Sequence, residues 1–265
     1  MRRASIVFFP SACATSCQIE RYTQHPDPLF DALDVCTMED ELPEVATDDT
    51  CSIYTRFLSW LTRVFALVLF CGWSKKESMK SCHRFLFRRM NFGQYEDIEQ
   101  CKKRGTADIA FGVARGAATT FVRWALVDQE INEPAYPRFV LLEACPASLP
   151  HSLEYRYGKR IASWIEYVLE RITSYSSRDA RILSPLAVAY RFPHTIPVAF
   201  VTSKRDAVVS FRDTHNLIDV LRLTGHPHVH VLELQDAPHH AYYEKSKRDR
   251  HAYKQFVSQM KHLYL

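Results

Sequence analysis

Apolar residues in this chain keep two different rhythms. Short, nearly unbroken apolar runs occur at residues 5–9, 32–36, 109–111, 139–144 and 197–202, and residues 228–234 alternate apolar with polar. Runs this short predict strands, and the absence of a polar face in most of them predicts burial on both sides, as inside a parallel sheet. The intervening stretches follow a helical period. Residues 18–24 open a helix that His25-Pro-Asp-Pro28 breaks. Residues 51–89 are helical in character and basic towards their end, and residues 94–103 predict a helix running up to Gly105 as its C-cap. Residues 117–127 and 211–223 also read as helices. Residues 151–190 form a helical stretch in which Ile161, Ile165, Val168, Leu169 and Ile172 predict one buried face. Residues 243–265 predict a basic amphipathic helix whose apolar side ends in Phe256, Met260 and Leu263. Residues 39–50 are acidic, lack any period and predict an exposed loop, and no internal repeat is visible.

Strands alternating with helices at this spacing predict an α/β fold, with a mostly parallel sheet of about six strands and helices on both faces. Right-handed crossovers then bring the C-terminal ends of all strands to one edge, where ligands bind in such sheets. The length of 265 residues suits a single domain spanning 1–265, with residues 37–90 and 150–190 as possible helical insertions or a lid.

Composition narrows the class without changing the fold. An apolar fraction of 47% with 24% charged residues is that of a globular protein. A net charge of +4 is an ordinary solvated surface and predicts no nucleic-acid partner. The eight cysteines (Cys13, Cys17, Cys36, Cys51, Cys71, Cys82, Cys101 and Cys145) are scattered through apolar segments without a C-x-x-C pair. They predict free thiols in a reducing, cytoplasmic compartment, and no cofactor is implied. The first ten residues have the outline of a signal peptide, but their apolar run is too short for an h-region. Residues 57–73 are the most hydrophobic window. Arg63 interrupts them, and they fall short of the roughly twenty residues a membrane span needs, so a buried or lid-like helix is expected, with interfacial membrane contact as the alternative.

Chemistry concentrates between the third strand and the helix after it, at Gly112-Val113-Ala114-Arg115-Gly116. Only seven glycines occur in the chain, and two of them flank Ala114 at a distance of two residues. The spacing is that of a nucleophile elbow, G-x-S-x-G, with alanine in place of the serine. In isolation such a pattern fits any βα turn built of small residues. Two further strand ends add to it. Asp206 follows the strand at 197–202, in Thr202-Ser-Lys-Arg-Asp-Ala-Val-Val209, and His239 and His240 follow the last strand, in Asp236-Ala-Pro-His-His-Ala-Tyr-Tyr243. Nucleophile position, acid and histidine stand in the chain order of the α/β-hydrolases.

On these residues the chain resembles an α/β-hydrolase of the small esterase or peptidase-like kind. Gly112-Val-Ala-Arg-Gly-Ala-Ala-Thr119 and Val140-Leu-Leu-Glu-Ala144 are similar to family segments of the form G-V-S-R-G-A-A-T-T and V-L-E-A. The resemblance runs from Ser5 to the end of the chain, residues 37–90 excepted. It implies a nucleophile position at 114, a base at His239 (His240 being the alternative) and an orienting acid at Asp206. It also implies one oxyanion donor at the backbone N–H of Arg115 and a second near Ser11 or Ala12, where Pro10-Ser11 stands in place of the His-Gly of many relatives. Without the resemblance, Asp206 is equally a turn or N-cap residue. His226, His228, His230, His239 and His240 are then polar strand positions, with a zinc cluster as the less favoured alternative. Glu143 and the basic C-terminal helix are expected to be structural.

Alanine carries no nucleophile, so several readings stay open. One is a pseudo-hydrolase that binds a small acyl-type ligand or a protein partner. Another is a serine hydrolase, acting on ester bonds, whose nucleophile at 114 has been exchanged for alanine. In a third, Ser11, Cys13 or Cys145 does the chemistry, although only the elbow aims a side chain at the histidine. A fourth reading is a partner- or membrane-binding adaptor that uses residues 57–73 and the basic tail.

Overall fold

A computed structural model describes residues 4–9, 21–31, 35–37, 107–126, 136–172, 177–239, 242–244 and 246–265. The expected elements at residues 39–50, 51–89 and 94–103 lie outside these described residues, as do Ser11, Ala12, Cys13 and His240.

Among the described residues six strands form one sheet: β1 (Ile6–Phe9), β2 (Val35–Thr37), β3 (Ile109–Val113), β4 (Phe139–Glu143), β5 (Val198–Ser203) and β6 (Val229–Leu234). Their order is β2-β1-β3-β4-β5-β6, and every neighbouring pair is parallel. All residues of β3, β4 and β5 are buried, which explains why their sequences lack the alternation of a half-exposed strand. The chain steps outwards from β1 to β2, returns past β1 to β3, and then moves one way to β6. That reversal falls between β1 and β3, whose C-terminal ends meet where Phe9 pairs with Gly112 and where ligands bind in open sheets of this kind.

The helices are α1 (Arg115–Ala125), α2 (Leu149–Tyr157), α3 (Lys159–Ile172), α4 (Ser177–Ile182), α5 (Pro185–Val188), α6 (Phe211–Leu223) and α7 (Lys247–Tyr264), with a 3₁₀ turn at Ala189–Arg191 after α5. Four of them start at a serine whose hydroxyl oxygen accepts a backbone N–H three residues on. Ser148 accepts from His151, Ser184 from Ala187, Ser210 from Asp213 and Ser246 from Asp249. Each such cap stabilises its helix by about 1 kcal/mol. The cap at Ser246 also moves the start of the last helix from the expected residue 243 to Lys247, because residues 242–244 form a turn.

Successive strand residues point to opposite faces, and each face has its own core. On one, Tyr253, Val257 and Met260 of α7, together with Tyr22, Phe30, Tyr242 and Tyr243, pack on Ile6, Phe8, Phe111 and Leu141. On the other, Phe121 and Val122 of α1 and Leu217, Ile218 and Leu221 of α6 pack on Phe9, Ala110, Val140, Leu142 and Phe200.

Two expected helix faces are corrected. In α3 the buried residues include Ala162, Ile165 and Glu166, whereas Ile161 is 54% exposed, in company with Trp164 and Tyr167. Ile165 is buried as expected and the side chains of Leu169 and Ile172 lie outside the described residues, so the correction falls on Ile161, at the edge of the apolar stripe. The ion pair from Arg181 to Glu166 accompanies burial of the polar side instead. In α7 the buried line is Asp249, Tyr253, Val257 and Met260, and Leu263 is exposed. The helix turns its tyrosine inward because Glu143 waits there as an acceptor.

Candidate active site

The turn after β3 places Ala114 at φ 51°, ψ −113°, a region that alanine rarely adopts. Its N–H is held by the carbonyl of Glu143 at 2.7 Å, which ties the turn to the end of the next strand. Helix α1 begins at once with Arg115. The crowding that follows explains Gly112: a Cβ there would lie 2.7 Å from both the Cα of Ala117 and the carbonyl oxygen of Gly116. Ala114 is itself 6% exposed and belongs to the same buried cluster as Val209, Ala237 and Tyr242, which come from the loops after β5 and β6.

The loop after β5 carries Asp206, 2% exposed and surrounded by donors. Its Oδ1 accepts the N–H groups of Val208 and Val209, each at 2.8 Å, so the residue shapes its own turn. Its Oδ2 accepts the hydroxyl of Tyr242 at 2.7 Å and lies 2.7 Å from Nδ1 of His239. Burial alone would push this carboxyl up. The bonds from His239, Tyr242 and Val209, with the charge of the imidazole, hold it below its ordinary value instead. An ionised carboxylate only accepts, so Nδ1 of His239 donates, and in the neutral ring Nε2 is then an acceptor.

The surrounding loops are fastened in turn. The hydroxyl of Ser203, the last residue of β5, donates to the carbonyl of Ala237 at 2.5 Å, drawing the loop that ends in His239 towards β5. Asp249, in the first turn of α7, accepts the N–H groups of Gln235 and Asp236 at 3.3 and 2.9 Å. Tyr155 of α2 donates to the main-chain carbonyl of Asp206 at 3.1 Å, so the segment after β4 reaches across to the acid loop.

Of the residues singled out from the sequence, Asp206 and His239 are joined directly. Ala114 stands in the strained turn and Arg115 at the first position of α1. Tyr242 and Tyr155 were missed, because a tyrosine in a loop or on a helix carries no periodic signal. Cys145 is fully buried, and burial pushes its thiol up, so it is no thiolate nucleophile. His226 is buried, with Nε2 beside the carbonyl of Pro193 at 3.1 Å, and His230 pairs with the hydroxyl of Tyr264 at 2.7 Å. Among the described residues no group of three His, Cys, Asp or Glu side chains is arranged to hold a metal ion, and no helix is long and apolar enough to cross a membrane.

No family model matches the chain, and no curated protein matches it. Solved structures do. Acylaminoacyl peptidase from Pyrococcus horikoshii, uncomplexed, is similar at a TM-score of 0.54 and 15% identity, over 99% of this chain and 37% of that one. Acylaminoacyl peptidase in complex with Z-Gly-Gly-Phe-chloromethyl ketone follows at 0.52 and 17% identity, over 70% and 30%. A puromycin hydrolase, as a serine-to-alanine mutant complexed with PGG, stands at 0.50 and 15% identity, over 72% and 27%. The fold is that of the α/β-hydrolases. The chain spans only 27% to 37% of the length of these structures. At such identities the likeness concerns the α/β-hydrolase fold and not an activity.

One further buried group adjoins the turn at Ala114. Glu143 is fully buried and accepts the hydroxyls of Tyr22 and Tyr253, both at 2.8 Å. Burial pushes its carboxyl up to about 7, the two tyrosine bonds offset this in part, and the charge of Asp206 adds to it. Because the folded value lies above the unfolded one, stability is fully present at low pH and falls as pH rises from about 4.5 towards 7, by about 3 kcal/mol. Glu143→Gln is expected to flatten that slope in urea titrations at pH 5 and 7. An unchanged slope would show that Glu143 does not carry the proton.

Proposed function

We propose that this chain is a pseudo-hydrolase: it keeps the α/β-hydrolase scaffold, lacks the nucleophile, and uses the retained site to bind a small acyl-type ligand. The observation that supports this reading is the pairing of Ala114 in an elbow conformation with an intact Asp206–His239 hydrogen bond. A side chain at φ 51° is strained, and a buried ionised carboxylate is costly unless fully hydrogen-bonded. Both features belong to an active-site scaffold, while the methyl group of Ala114 offers no atom that can attack a carbonyl carbon. In a triad, loss of the serine leaves only the assistance of binding and the oxyanion hole.

The experiment is hydrolysis of p-nitrophenyl acetate by the purified protein. Turnover is expected to equal that of His239→Ala and Asp206→Asn within error. Turnover in the unmodified protein that either substitution removes would overturn the reading. A second reading, a serine hydrolase whose nucleophile has been exchanged for alanine, is favoured by how completely Asp206 and His239 are still held. The puromycin hydrolase complex, a serine-to-alanine mutant, illustrates that kind of substitution in a protein of similar fold.

A further inference from the structure

We infer that Tyr242 is a positioning residue of this site, acting on His239 through the carboxylate of Asp206. The inference rests on the reading of Asp206 and His239 as a retained acid–histidine pair. It starts from the way the four donors divide between the two oxygens. Oδ1 takes the N–H groups of Val208 and Val209, which already fix the plane of the carboxylate. Oδ2 takes two donors from one short stretch, Nδ1 of His239 and the hydroxyl of Tyr242, both at 2.7 Å. The phenol is 1% exposed, so no water replaces it on that oxygen if it is removed.

Because the two amides hold the carboxylate in place, Tyr242 does not set where Asp206 sits. It sets how much negative charge Oδ2 presents to the imidazole. A carboxylate oxygen shared between two donors is a poorer acceptor for each than one serving a single donor. Tyr242 therefore tempers the bond to His239 and completes the four acceptor positions of a buried anion.

The adjacent tyrosine provides a matched control. Tyr243 is equally buried, and its hydroxyl donates at 2.6 Å to the carbonyl of Asp27, on a different partner. Tyr242→Phe and Tyr243→Phe thus each delete one buried hydroxyl and one hydrogen bond. The readout is the Nδ1 proton resonance of His239 in the full chain, assigned by its loss in His239→Ala. In Tyr242→Phe the bond to Asp206 strengthens, so this resonance is expected to move downfield and its exchange with water to slow roughly tenfold, the effect of redistributing one charge-assisted hydrogen bond. In Tyr243→Phe it is expected to stay in place, although both variants lose thermal stability. An unmoved resonance in Tyr242→Phe, or the same shift in both variants, would overturn the inference. If Tyr242→Phe does not fold, 3-fluorotyrosine at position 242 keeps the ring and donates a stronger bond to Oδ2 through its more acidic hydroxyl; the resonance is then expected to move upfield, and an unmoved resonance overturns the inference. Ester turnover in the unmodified protein would count against the pseudo-hydrolase reading and leaves this resonance unaffected, so the two failures are distinguishable.

Discussion

Ala114→Ser is expected to raise hydrolysis of p-nitrophenyl acetate by at least about a thousandfold over the unmodified protein. The estimate follows from serine triads, where removing the nucleophile costs on the order of a millionfold in kcat and leaves a residual of roughly a thousandfold or more over water. Serine differs from alanine here by one oxygen, and the backbone is already in the required conformation, at φ 51°. The turn would need no rearrangement. The imidazole of His239 is already oriented by Asp206 through Nδ1. The gained activity is expected to disappear in Ala114→Ser/His239→Ala, and the serine is expected to react with a fluorophosphonate probe. Turnover and labelling would establish that the machinery around the elbow is complete and that only the nucleophile is missing. If neither appears, the retained pair no longer supports catalysis and the serine-hydrolase reading fails.

Gly112→Ala is expected to destabilise the fold by about 3 kcal/mol or more, the upper range for overpacking a close-packed site. The added methyl group would meet three backbone atoms, the Cα and N of Ala117 and the carbonyl oxygen of Gly116, at 2.7 to 2.8 Å. Backbone cannot swing aside as the tip of a flexible side chain can, so either α1 moves off the sheet or the strand shifts. Gly225→Ala is the informative comparison. Gly225 has φ +83° but no atom near its Cβ position, so a cost of about 1–2 kcal/mol from the backbone conformation alone is expected. Urea midpoints of the two variants measure the difference. Equal losses would show that α1 does not press on β3 at the elbow.

The exposed ring of Tyr155 and the face of Ile161, Trp164 and Tyr167 show where a period of apolar residues misleads. Helix α3 buries Ile165 and Glu166 and leaves Ile161 exposed, with the Arg181–Glu166 ion pair on the buried side. The strands were far easier to read. β3, β4 and β5 are short, bounded and buried on both faces, and only a parallel sheet covered by helices accommodates them. The tight turn after β3 was legible for a similar reason. Gly112 reflects a steric demand that acts within five residues, and Asp206 and His239 follow strands whose ends the parallel arrangement gathers together.

The sequence by itself therefore determined the α/β architecture, the run of strand ends along one edge, and the tight turn that holds Ala114 after β3. These are local matters of period, sterics and chain order. Only the tertiary structure decided which buried polar groups serve one another. Tyr242 on Asp206, Tyr22 and Tyr253 on Glu143, and Tyr155 on the carbonyl of Asp206 are partnerships between elements distant in sequence or hidden in loops. A buried hydroxyl must find an acceptor, but its place in the chain does not say which one. The packing of α2, α7, the turn before α7 and the Tyr22 segment around the sheet makes that choice, because it brings each tyrosine within reach of a carboxylate or carbonyl in the core.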